Sequence, residues 1–168
     1  MNPLSENEIR GSFVNCSKGE ARRLNLPRGL AELPWEHLDF LGWRDQGAPD
    51  RGYLVAEHGG ELVGVTLRVP SVRRSLTKSN VCSLCLSTHA GSGVALLAAR
   101  RAGVSGREGN TVGTYICADL ACSLYLRGLK KSALVSRPEG SLSQDELIAR
   151  TVANLDAFLV KVLTDTLA

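Results

Sequence analysis

From residue 144 onward the chain carries a helical pattern. Leu147, Ile148, Thr151, Val152, Leu155, Phe158, Leu159, Val162 and Leu163 recur at three- and four-residue intervals, which predicts one long amphipathic helix. Ser143-Gln144-Asp145-Glu146 reads as the capping box that opens it. A period of two governs an earlier stretch. Val63, Val65, Leu67 and Val69 alternate with Leu62, Gly64, Thr66 and Arg68, predicting a strand with one apolar face. Residues 52–57 are expected to pair with it through a turn at His58-Gly59-Gly60. Residues 94–101 and 111–116 predict a second hairpin. Its connection holds Gly103, Gly106, Gly109 and Asn110 and is expected to be mobile.

The flanking segments carry weaker signals. Ser5-Glu6-Asn7-Glu8 is another capping box, predicting a short helix to about Val14 with Ile9 and Phe13 on one face. Residues 18–28 are basic, and Pro27 and Pro34 argue against a long element there. Trp35, Phe40 and Trp43 form the most aromatic stretch and are read as core anchors rather than a partner-binding patch. Gly47-Ala48-Pro49-Asp50 is a turn. After Cys117, Asp119 is expected to cap a helix to about Leu134, with Leu124, Leu129 and Leu134 on its buried side. Arg137-Pro138-Glu139-Gly140 reads as the joint before the last helix.

Cysteine changes this picture most. Cys82-Ser83-Leu84-Cys85 and Cys117-Ala118-Asp119-Leu120-Ala121-Cys122 are two closely spaced pairs separated by a hairpin-length stretch. Two intervening residues let a tight turn aim both sulfurs at one point. Cys117 leaves a predicted strand, and Cys122 falls in the first turn of a predicted helix. Knuckle, hairpin, helix is the order of a treble-clef finger, so Cys82, Cys85, Cys117 and Cys122 are the expected ligands of one structural Zn2+. Four sulfurs close the tetrahedron, leaving no position for a reactive water and little room for nearby His89 as a ligand. The remaining cysteine, Cys16, is read as a small buried residue. Five cysteines with no export signal suit a reducing cytoplasm, the expected location.

The formal charge of +3 is too small to announce a nucleic-acid binder, and four thiolates with one divalent ion lower it by two. No apolar run is long enough for a membrane span. P-loop, GxSxG and HExxH motifs are absent, and the histidines, His37, His58 and His89, are scattered. Neither an enzyme nor a small-molecule substrate is expected.

Ser12-Phe13-Val14-Asn15-Cys16-Ser17-Lys18, Leu38-Asp39-Phe40-Leu41-Gly42-Trp43 and Gly113-Thr114-Tyr115-Ile116-Cys117 together resemble the elongation factor G-binding family, which includes the FusB-type fusidic acid resistance proteins. The resemblance runs from about Ile9 to the last helix. It implies a C-terminal treble-clef zinc finger and a non-enzymatic partner of elongation factor G that aids its release from ribosomes stalled by fusidic acid. It also implies that an aromatic before the third zinc ligand, here Tyr115, belongs to the binding surface. FusB-type proteins carry a helical bundle ahead of the zinc region, where this chain is expected to hold one short helix.

The expected fold is α+β: a small antiparallel sheet subdomain with an N-terminal helix in residues 1–80, and a treble clef with a long C-terminal helix in 81–168, as one compact unit. The expected protein contacts are Tyr115, Arg100, Arg101, Lys130 and Lys131, the cations adding attraction to an acidic partner. An alternative is an RNA- or ribosome-binding finger that meets phosphates through Arg100, Arg101, Arg107, Arg127, Lys130 and Lys131.

Overall fold

A computed structural model describes residues 1–69, 79–131 and 142–164. Its centre is a five-stranded antiparallel sheet in the order β1-β2-β3-β6-β7. The strands are β1 (Leu41–Arg44), β2 (Arg51–His58), β3 (Glu61–Arg68), β6 (Val94–Arg100) and β7 (Thr111–Cys117). A separate ribbon joins β4 (Ser79–Val81) to β5 (Thr88–Ala90). Helices α1 (Glu6–Gly11) and α2 (Lys18–Arg23) precede the sheet, α3 (Gly103–Arg107) lies between β6 and β7, α4 (Cys122–Leu126) follows β7, and α5 (Gln144–Leu163) comes last.

Both predicted hairpins form. Gly59 and Gly60, with φ of 60° and 83°, make the two-residue turn between β2 and β3, a conformation that favours glycine and matches the twist of the strands. The capping boxes at Ser5 and Ser143 are complete. Along α5, Leu147, Thr151, Leu155, Phe158, Leu159 and Val162 are buried, as the spacing predicts. In β2, by contrast, Gly52 through Ala56 are all buried, with no alternation. The reason is that both faces of the sheet are covered. Leu54 and Ala56 join Val63, Val65 and Leu67 on the face that carries the cysteines and α5. Tyr53 and Val55 turn to the other face, against Ile9, Trp35, Leu41 and Trp43. The aromatic stretch is therefore core, and Leu41–Arg44 within it is the edge strand β1.

Several expectations need correction. Helix α1 stops at Gly11 instead of Val14. Residues 12–14 run along β3 instead, where the Val14 N–H donates to the Gly64 carbonyl at 3.0 Å and the Gly64 N–H donates to the Ser12 carbonyl at 2.9 Å. Only glycine fits there, because a Cβ on residue 64 would lie 2.5 Å from the Ser12 hydroxyl. A second short helix, α2, occupies part of the basic segment, opened by a capping box from Ser17 to Glu20. The glycine-rich connection expected to be mobile folds into α3, with Ser105 and Gly106 buried. The helix after Cys117 ends at Leu126, far short of Leu134. Gly128 adopts φ of 67°, and the N–H groups of Leu129 and Lys130 turn back to the Leu124 carbonyl, which closes the helix. Leu129 is exposed and Leu124 half-buried. Leu134 and the 137–140 joint lie outside the described residues.

Asn15 joins the two hairpins. β3 and β6 pair only at Leu67↔Ala99 and Arg68↔Ala98. Where they part, the Asn15 carboxamide takes the place of a strand. It accepts from the Thr66 N–H at 2.8 Å and donates to the carbonyls of Thr66 and Arg100, each at 3.0 Å.

Candidate metal centre

Each cysteine is placed by a different backbone device. Cys82 and Cys85 sit on the turn between β4 and β5, where the Cys85 N–H donates to the Cys82 sulfur at 3.4 Å. Cys117 ends β7 and Cys122 begins α4. Leu86, one residue past Cys85, and Leu120, two before Cys122, are the only non-glycine residues at positive φ among the described residues, at 60° and 61°. This backbone costs roughly 1–2 kcal/mol per residue, and it reverses the chain beside both cysteine pairs. The buried Leu120 side chain then fills the space above Gly42, where a Cβ would lie 2.7 Å away.

The four sulfurs are buried and all lie within 4.8 Å of one another. Cys82 and Cys122 are 3.7 Å apart, and Cys85 and Cys117 are 3.6 Å apart. A tetrahedron with zinc–sulfur bonds of about 2.3 Å has edges of about 3.8 Å, so the spacing fits one zinc ion. Electrostatics agrees. Without a cation the cluster divides its protons unevenly. Hydrogen bonds from Cys117, Cys122 and Cys85 drive the Cys82 thiol down, while bonds to Cys117, Cys82 and Cys85 and full burial push Cys122 well up. A divalent cation removes the conflict by stabilising four thiolates together.

The surrounding polar groups are ordered. Ser87 Oγ lies 2.9 Å from Cys85 Sγ and 2.9 Å from His89 Nε2, which is itself 3.4 Å from Cys117 Sγ. Burial lowers the His89 pKa, partly offset by Cys82 and Asp119, so the neutral ring borders the sulfurs without replacing one. His89 also meets the Tyr125 ring edge-on at 4.8 Å. The Tyr125 hydroxyl donates to Asp119, and Lys130 pairs with the same carboxylate at 2.8 Å. Arg127 forms a fork with Asp39, at 2.8 and 2.9 Å. From α5, the Asn154 amide donates to the Leu84 carbonyl at 3.0 Å and holds the first turn from behind.

The spacing, the burial and the order of elements identify a closed structural zinc site of the treble-clef type. The family model described as FBP C-terminal treble-clef zinc-finger matches residues 8–162. The chain belongs to that family. Among solved structures, the chain is similar in fold to the structure of the fusidic acid resistance protein FusC, with a TM-score of 0.60 at 16% identity. The likeness covers 96% of this chain and 60% of that one, so the chain spans about three fifths of the length of its structural relative. No curated protein matches the sequence.

The other expected site residues are dispersed. Tyr115 lies on β7, half-buried against the core, and its carbonyl accepts from the Ser83 N–H at 2.7 Å. Arg100 pairs with Thr111 at the far end of the β6–β7 hairpin. The Arg101 guanidinium donates to the Lys161 and Thr164 carbonyls at the end of α5. Lys130 and the exposed Lys131 lie at the cysteine end. Cys16 is half-buried. Burial and then Glu20 push its thiol pKa up, which keeps it protonated and unreactive. Among the described residues, no helix is long and apolar enough to cross a membrane.

Proposed function

We propose that this protein is a non-enzymatic, cytoplasmic partner of elongation factor G that binds it through the finger and aids its release from ribosomes stalled by fusidic acid. The observation that carries the reading is the match of a treble-clef family model to nearly the whole chain; the fold likeness to a fusidic acid resistance protein supports it. The centre's chemistry is consistent with it. A closed shell of four sulfurs offers no open coordination position; what it offers is a rigid platform, and rigid side chains lose little entropy on docking. Tyr115 stands beside the first cysteine turn, half-buried and held in place, as interface anchors tend to be. Arg100 and Lys131 would add long-range attraction to an acidic partner surface, whereas Arg101 is tied to the end of α5 and Lys130 to Asp119.

The test is calorimetry of the zinc-loaded protein against purified elongation factor G. Wild type should bind, and Tyr115→Ala should bind at least tenfold more weakly. A wild type that gives no heat of binding would remove the assignment. A folded, zinc-loaded Tyr115→Ala with unchanged affinity would move the contact off β7.

A further inference from the structure

Among the described residues, a concentration of charge that the metal centre does not use lies away from the zinc. Two adjoining clefts, of about 420 and 390 Å³, cross the end of the sheet between α2 and α3. They share Cys16, Glu20, Thr66 and Arg68 and so form one groove. Arg23, Arg51, Arg68, Arg100, Arg101 and Arg107 line it, against only two carboxylates, Glu20 and Asp45. With Asp50, which pairs with Arg68, the excess is three positive charges, as large as the net charge of the whole chain, +3.

The two carboxylates are already committed. Glu20 caps α2 at Ser17. Asp45 accepts from Asn25, Tyr53 and two backbone N–H groups. Arg68 pairs with Asp50 and Arg101 holds the end of α5. Arg23, Arg51, Arg100 and Arg107 are exposed, and among the described residues they make no ion pair. The finger's own cations differ, because Arg127 and Lys130 are neutralised by Asp39 and Asp119. Arg51 also stands directly opposite Arg68 across the β2–β3 ladder, a like-charge pairing that destabilises a sheet. The fold keeps this repulsion at the groove.

We propose that the groove binds the phosphodiester backbone of a single-stranded nucleic acid. Adjacent strands lie about 4.8 Å apart, and β3 and β6 part toward Arg100, where Asn15 fills the gap, so Arg51, Arg68 and Arg100, on β2, β3 and β6, spread their charge over at least roughly 10 Å, a run of phosphates and not a single anion. Guanidinium forks fit phosphate oxygens in pairs. The arginines line a concave groove and not a protruding helix or ribbon, a shape that a flexible single strand can follow and that does not enter the groove of a duplex. Among the described residues the lining lacks the large accessible anchor of a protein interface, since Leu24, Leu67 and Tyr53 are buried and Val14 is half-buried. For the same reason no ring is available to stack a base, so the contact follows the backbone and is indifferent to sequence. The inference does not depend on the binding of elongation factor G.

The test is fluorescence anisotropy of zinc-loaded protein with labelled oligouridylate and oligothymidylate, over a salt series. Both oligomers should bind, within a few-fold of each other. The logarithm of the association constant should fall with that of salt at a slope of about −3, from four contacts of about 0.7 each. The combined variant Arg23→Gln, Arg51→Gln, Arg100→Gln, Arg107→Gln should keep its zinc and its tryptophan emission and lose binding at least tenfold. Lys130→Gln with Lys131→Gln should bind as wild type does. Four results would overturn the groove: no binding at low salt, unchanged binding by the arginine variant, an equal loss in the lysine variant, or displacement of the oligomers by polyglutamate at equal charge concentration.

Discussion

The two faces of the sheet are held by different physics. On the face carrying α5, Leu54, Val65, Leu97, Ile116, Phe158 and Leu159 pack around four cysteines, and a metal ion finishes that core. On the opposite face no metal is needed. Trp35, Trp43 and Tyr53 fill the space under α1 and α2, and the Trp35 and Trp43 ring N–H groups donate to the Leu30 and Asn25 carbonyls. The first core is centred on ligands that lie close together in sequence within each pair. The second is built from bulk drawn from several short elements. Because β2 supplies Leu54 to one core and Val55 to the other, the two should not be independent. The chain's two tryptophans both lie in the second core, so their emission reads that face alone.

The largest effect should come from removing the metal. Structural zinc contributes about 10–16 kcal/mol in small finger peptides, comparable to or above the 5–15 kcal/mol net stability of an ordinary domain. Chelation, or Cys117→Ser, should therefore unfold the cysteine face. The shared strands predict that tryptophan emission shifts to the red in the same transition. Emission that stays blue after complete zinc loss would show the faces to be separate folding units.

Next in size is the reverse experiment. Trp35 is buried to 4% exposure, and Trp→Ala in a core costs about 3–5 kcal/mol. Urea unfolding of zinc-loaded Trp35→Ala, followed by Trp43, should show that loss. Zinc should leave at the same denaturant concentration if the sheet couples the cores, and at a higher one if it does not.

The two cores also differ in how far the sequence reveals them. Ligand spacing is local, so Cys82, Cys85, Cys117 and Cys122 could be read directly, as could α5 with its unbroken period. The aromatic core gives no such pattern. β1 is four residues long and contains Gly42, which is small because Leu120, distant in sequence, packs onto it. For α2 the Ser17–Glu20 capping box was present, but six residues hold too little periodicity to reveal a helix. The charges were the least legible. Arg127 and Lys130 read as surface cations until Asp39 and Asp119 are brought to them. The groove arginines come from β2, β3, β6 and three flanking segments, and only the fold places them together.

A smaller effect should come from the carboxylate of the second core. Burial alone would raise the Asp45 pKa. Hydrogen bonds from Asn25, Tyr53, Gly47 and Ala48 outweigh burial and hold it below the ordinary aspartate value. With the folded pKa depressed, its contribution is fully present above the unfolded pKa of about 3.9. It is lost as pH falls through the folded value. Asp45→Asn should cost about 1–3 kcal/mol at pH 7, and the deficit should shrink toward zero in acid. Acid also protonates zinc ligands, so variant and wild type are compared at equal pH. A deficit independent of pH would assign the loss to packing.

The smallest effect tests the link between α5 and the metal. The Asn154 amide donates to the Leu84 carbonyl, inside the first cysteine turn, at 3.0 Å. Removing one such bond costs about 1 kcal/mol, roughly a fivefold change in an equilibrium constant. Asn154→Ala should therefore leave tryptophan emission unchanged in the absence of denaturant. It should also weaken zinc retention about fivefold in competition with a chelator, because the turn that aims Cys82 and Cys85 has lost its brace. Val152 is a control on the same helix, exposed at 38%, and Val152→Ala should retain zinc as wild type does. Both substitutions raise helix propensity, so equal losses in both variants would assign the effect to the packing of α5 and not to this bond. A loss confined to Asn154→Ala would make the helix part of the metal site, bonded to its ligand turn.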